Sequence, residues 1–70
     1  MQRKRVTSSN IKSIGYDREL KVLEVEFLTE TVYQYQNVPY TRYQALMLAD
    51  SKGKYFNAMI KNRYEYKKVR

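Results

Sequence analysis

The run LKVLEVEFL, residues 20–28, constrains the fold most, because apolar and charged residues alternate along it one by one. A period of two belongs to a strand with one face in a core and the other in water. Leu23, Val25 and Phe27 therefore point inward and Glu24 and Glu26 outward. A chain of 70 residues is one domain, 1–70, with a single apolar core. It has no cysteine to reinforce that core, so packing and secondary structure must hold it.

The neighbouring segments obey the same rule. Ile11 to Tyr16 reads as a strand in which Ile14 and Tyr16 share a face, and Asp17, Arg18 and Glu19 form the turn that follows it. After a turn at Thr29 and Glu30, TVYQYQNV alternates again, with Tyr33 and Tyr35 on one side and Gln34 and Gln36 on the other. Short connections make these segments an antiparallel meander. Pro39 lacks a ladder donor and ends the third strand. The period then becomes helical. Thr41-Arg42-Tyr43-Gln44 fits a capping box for a helix to about Ala49, and Ser51 caps a second helix running to about Asn62, with Tyr55, Phe56, Met59 and Ile60 as its apolar stripe. The tail YEYKKVR leaves a last strand, a helix extension or a disordered end open, with Tyr64 and Tyr66 favouring order. Residues 1–7 are expected to fray. The expected fold is α+β: a three-stranded antiparallel meander, then two short helices on its apolar face, with room for one extra C-terminal strand.

Net charge is +7, and it is segregated. Residues 1–12 carry four positive charges and no negative one, and residues 52–70 carry seven positives against Glu65 alone. The middle, 13–51, holds three positives and six negatives. An acidic body with two basic ends suits phosphate ligands if the ends meet, and otherwise keeps a small protein soluble. No apolar run approaches the roughly 20 residues of a membrane helix, and no secretory leader follows the basic start, so the reading is a soluble cytoplasmic protein that makes no membrane contact.

Enzyme chemistry finds little support in these residues. The chain has no histidine or cysteine and no Gly-rich phosphate loop. Glu24 and Glu26 share a strand face, where they read as a solvated pair, without the partners a metal site needs. No cofactor is expected. Tyr33 and Tyr35 suggest a base-stacking platform, yet the adjoining strand makes the wet face of the sheet acidic, so the two rings are assigned to the core.

The cationic surface is sought instead on the second helix and the tail. Lys52, Lys54, Asn57 and Lys61 extend towards Arg63, Lys67 and Lys68. Lysine in a first helical turn is mildly unfavourable unless an anion sits there. Ser51 and Gly53 would receive it through free N–H groups; the alternative is that Gly53 only lets the chain turn between the helices.

The succession SSNIKSIGYD, LEVEF, VYQY, NVP, YQAL and SKGKYFNAMIKNRY resembles the KTSC domain family, small modules found at the C-terminus of some lysyl-tRNA synthetases and as free-standing bacterial or phage proteins. The resemblance spans Ser8 to Tyr64. Its central Y-x-Y is Tyr33-Gln34-Tyr35, and its S-x-G-x-Y-F-N segment is Ser51, Gly53, Tyr55, Phe56 and Asn57. Thr29-Glu30 stands where the family often has Asn-Gly. The resemblance implies no catalytic residue and suggests RNA binding through the synthetase fusion, by analogy alone. The reading is thus a non-enzymatic module, monomer or weak dimer, that binds RNA or tRNA through Lys52, Lys54, Lys61, Arg63, Lys67 and Lys68. The alternative is a protein-interaction module that docks an acidic partner or pairs at a sheet edge.

Overall fold

A computed structural model describes all residues, 1–70. It contains β1 (Arg3–Arg5), β2 (Ile11–Asp17), β3 (Val22–Phe27), β4 (Val32–Tyr35), α1 (Tyr40–Leu48), α2 (Lys52–Met59) and β5 (Tyr66–Lys68). The five strands form one antiparallel sheet in the order β1-β2-β3-β4-β5. The expected meander and helix pair are present, extended by a strand at each edge. Residues 3–5, expected to fray, pair with β2, and the tail resolves into β5 against β4.

The inner sheet face and the helices enclose Ile11, Ile14, Leu23, Val25, Tyr35, Val38, Leu46, Phe56 and Ile60. Ile11 and Ile14 are three apart, a spacing that should send them to opposite faces. A register shift between Ile11 and Ser13 inserts one extra residue, so both isoleucines face the core. Strict alternation on β3 needs no such correction: Leu23 and Val25 are fully buried.

Helix α1 starts two residues earlier than the capping-box reading requires. Pro39, in extended conformation, is its N-cap, and no side chain caps the first turn. β4 ends at Tyr35, before Asn37 turns the chain at φ 57°, rather than at Pro39 as expected; the proline instead sets the start of the helix. The Thr41 box is therefore not formed. Helix α2 does begin as expected, with Ser51 Oγ accepting from the Lys54 N–H at 3.3 Å. It ends at Met59 rather than Asn62, which takes φ 68° in the turn that redirects the chain towards β5. Across the helices, the Arg42 guanidinium donates to the Tyr55 hydroxyl at 3.2 Å and to the Tyr64 hydroxyl at 3.3 Å.

Gly15 shows why a glycine stands in the middle of β2. A Cβ there would lie 2.7 Å from the Gln2 carbonyl oxygen and 3.0 Å from Arg3 Cγ. The Arg3 side chain crosses the sheet over this bare position to reach β3. Gly15→Ala is expected to push β1 off the sheet and to lower stability by about 1–2 kcal/mol, at the low end of overpacking because β1 carries little core. Hydrogen exchange checks it: the amides of residues 3–6 lose protection while those of β3 keep theirs.

Candidate nucleic-acid interface

The outer sheet face departs most from expectation. Glu24 and Glu26 are not solvated: they are 6% and 7% exposed. Arg3 donates to Glu24 through one guanidinium nitrogen and to Ser13 Oγ through Nε at 3.0 Å. Ser13 Oγ donates to Glu26 at 2.7 Å, Gln34 to Glu24 at 2.7 Å, and Arg70 to Glu26 at 2.7 Å. The two basic ends of the chain thus converge over the acidic strand. Burial alone would raise the Glu24 pKa, but the hydrogen bonds from Gln34 and Arg3 and the Arg3 charge outweigh it and hold the carboxyl below its usual range. Glu26 is likewise lowered, chiefly by the Ser13 hydrogen bond, against burial and with help from Lys12, Arg3 and Arg70. A face that reads as acidic in the sequence is neutralised and carries Arg3, Arg5, Lys12 and Arg70 above its carboxylates.

All ion pairs in the protein end on Glu24 or Glu26. The lysines assigned to phosphate contacts are consequently unpaired. Lys54, Asn57 and Lys61 are exposed along α2 and its C-terminal extension. Lys52 Nζ donates to the Ala49 carbonyl at 3.2 Å, and Arg63 Nε to the Ala58 carbonyl at 3.1 Å, so both also hold local backbone. Lys67 and Lys68 separate, because β5 alternates. Lys67 pairs with Gln34 and lies on the outer face, whereas Lys68 pairs with Tyr33 and lies on the inner face. Lys54, Asn57 and Lys61 therefore line up on and just beyond α2, Lys52 turns back to Ala49 instead, and Lys67 joins the arginines behind the sheet.

Gly53 has a packing role. It is buried in the first turn of α2 without a positive φ, and a Cβ there would come within 2.5 Å of Asn10 Oδ1. It is not a hinge between the helices. Asn10 and the Ser51 hydroxyl already occupy the space around this helix start.

Tyr33 and Tyr35 do join the inner layer, as expected, but they do not close it. Tyr35 is 5% exposed, while Tyr33 is half-buried. Together with Phe27, Phe56 and Tyr66 they line an open cleft of about 320 Å³ between β4, β5 and α2. The rings meet mostly edge to face: Phe27–Phe56 at 5.5 Å, Tyr35–Phe56 at 5.4 Å and Tyr33–Tyr66 at 5.5 Å between centroids. Burial pushes the Tyr35 hydroxyl up to about 12, so it is a neutral donor at any physiological pH. Reading β4 alone could not find the cleft, since α2, the turn that follows it and β5 supply half of its wall.

Residues 7–64 match the KTSC domain. The chain belongs to the KTSC domain family. It is 43% identical to an uncharacterized protein of Stutzerimonas stutzeri over 99% of both chains. Its fold superposes on the crystal structure of a KTSC domain protein from Yersinia pestis with a TM-score of 0.96, at 42% identity, covering 99% of this chain and 97% of that one. A lysine–tRNA ligase of Trichormus variabilis is 38% identical over 87% of this chain, which spans only 11% of the ligase. In this KTSC domain the Y-x-Y motif and the Phe56-Asn57 end of the second motif face each other across the cleft. No helix is long and apolar enough to cross a membrane.

Proposed function

We propose that this KTSC domain is a binding module for RNA, tRNA included, that contacts phosphates through Lys52, Lys54, Lys61, Arg63, Lys67 and Lys68. The observation that carries the reading is that Lys54, Lys61, Lys67 and Lys68 are exposed and enter no ion pair, while the buried glutamates engage Arg3, Lys12 and Arg70. Unpaired lysines on a strongly basic domain release counterions when phosphates replace them, which drives sequence-tolerant binding. The occurrence of a related segment in lysine–tRNA ligases supports the same class of ligand.

Strand addition by a protein partner is the weaker reading. Both sheet edges are only three residues long, Arg-Lys-Arg in β1 and Tyr-Lys-Lys in β5, and short lysine- and arginine-loaded edges discourage pairing.

With about five phosphates contacted, log K for single-stranded RNA should fall with log salt at a slope of roughly −3.5, and for duplex at roughly −4.5. The triple variant Lys54→Gln, Lys61→Gln, Lys68→Gln should flatten the single-strand slope by about 2. Anisotropy titrations with tRNA, single-stranded RNA and duplex DNA at two salt concentrations measure both. Absence of binding at low salt would falsify the proposal.

A further inference from the structure

The aromatic cleft is an odd feature for a protein so short of apolar surface. Five rings line it, and a domain of this size would gain stability by packing them shut. Instead Tyr33 and Phe27 are left half-buried and Tyr66 is 58% exposed. Polar groups converge on the same opening: the exposed Asn57 and Asn62 amides and the Lys61 ammonium stand at its rim. Each is therefore free to bond something else.

These features restrict the occupant. Ring faces and edges favour a flat, polarisable group. Side-chain amides, which donate and accept side by side, match a group with both functions on one edge. Lys61 on one side and Lys68, opposite Tyr33 in the β4–β5 register, on the other favour negative charge beyond the ring. A second copy of this chain, with net charge +7, is disfavoured by the same lysines. At about 320 Å³ the cleft is near the lower limit of small-ligand sites, room for one ring system rather than several. A nucleotide combines these properties.

We propose that the cleft between β4, β5 and α2 takes one unpaired nucleobase of a single-stranded RNA, stacked against Tyr33 and Tyr66 and bonded on its edge by Asn57, with the flanking phosphates at Lys61 and Lys68. The inference rests on the RNA reading above and adds to it a base-dependent contact. A base in a duplex has no free face to offer, so the cleft selects unpaired strands or ends.

The test compares a single-stranded RNA hexamer with an abasic hexamer of the same backbone, so that phosphates are equal and only bases differ. The base-containing strand is expected to bind five- to a hundredfold more tightly, the effect of one stacked base. Asn57→Ala and Tyr33→Leu should bring the two affinities together without changing the salt slope. Asn57 is exposed, so its variant folds; circular dichroism checks Tyr33→Leu. Equal binding of both strands by the unaltered protein would overturn base insertion and leave the phosphate reading standing. A preference that survives both substitutions would place the base elsewhere and also overturn it. If neither strand binds at low salt, the RNA reading falls and this inference with it.

Discussion

Leu46→Ala is expected to remove a large part of the stability of this domain and to lower its thermal midpoint by about 10–20 °C. Leu46 is fully buried and is the only buried residue of α1. A 70-residue domain holds roughly 3.5–10 kcal/mol of stability in all, at typical per-residue values. Leucine-to-alanine changes in a core cost about 2–5 kcal/mol, the larger values where neighbours cannot collapse into the space. Here the sheet lies beneath the site and α2 beside it, so collapse is restricted. Each kcal/mol moves the midpoint of a domain this small by about 4–8 °C. Leu48, two residues on and 83% exposed, is the internal control. Its alanine variant should stay within about 0.5 kcal/mol of the parent. Thermal melts followed by circular dichroism decide the matter, and equal losses in the two variants would mean that α1 packs on a different face.

Removing Arg3 should have the next largest effect, with a distinctive pH dependence. Its guanidinium joins Ser13 on β2 to Glu24 on β3 and approaches Glu26 at 3.6 Å. The cost of Arg3→Ala should fall near 2 kcal/mol. That lies between an exposed pair, worth under about 1, and a dry buried pair, where losing one partner costs about 3–5. The Glu24 carboxyl is held below its ordinary pKa, so the stability it contributes is present above that ordinary value and is lost as pH falls through the folded one. The parent should accordingly weaken below roughly pH 4. In Arg3→Ala the carboxyl has less depression to lose, so the gap between the two thermal midpoints should be widest near neutrality and close in acid. A gap that is constant with pH would assign the loss to packing of the arginine stem over Gly15 and not to the ion pair.

Much of the fold was legible from single residues. Alternation along β3 and β4, the helix start beside Pro39 and the Ser51 cap are local signals, and each decides a backbone conformation within a few residues. The C-terminal edge strand was left open by the tail YEYKKVR and is formed, whereas the N-terminal one was not legible, because Arg-Lys-Arg carries no apolar period; it becomes a strand only because β2 presents unpaired donors and acceptors beside it. The Thr41 box failed for a related reason. Its pattern was correct, but Pro39 caps the helix two residues before the box could act. Gly53 was read as an anion receiver or a turn between the helices, yet it and Gly15 are both sites of close approach, a property of partners that lie far along the chain.

The candidate site divides in the same way. Lys54, Asn57 and Lys61 share a helical face at a spacing that the sequence displays directly. That Lys67 and Lys68 part company follows from strand alternation once β5 exists. The glutamates could not be read correctly in isolation: Glu24 and Glu26 are polar residues on the solvent side of a strand, and only the arrival of Arg3 and Arg70 from opposite ends buries them.

By itself, then, the sequence determined the strand and helix order, the face of β3 and β4 that enters the core, and the excess of positive charge, because each depends on neighbours within a turn or a pleat. Tertiary structure alone decided where that charge remains free and where it is consumed. It also decided that Tyr33 and Tyr35 line an open cleft, since a cavity exists only between elements, and Phe56 and Tyr66 reach Tyr35 from more than twenty residues away.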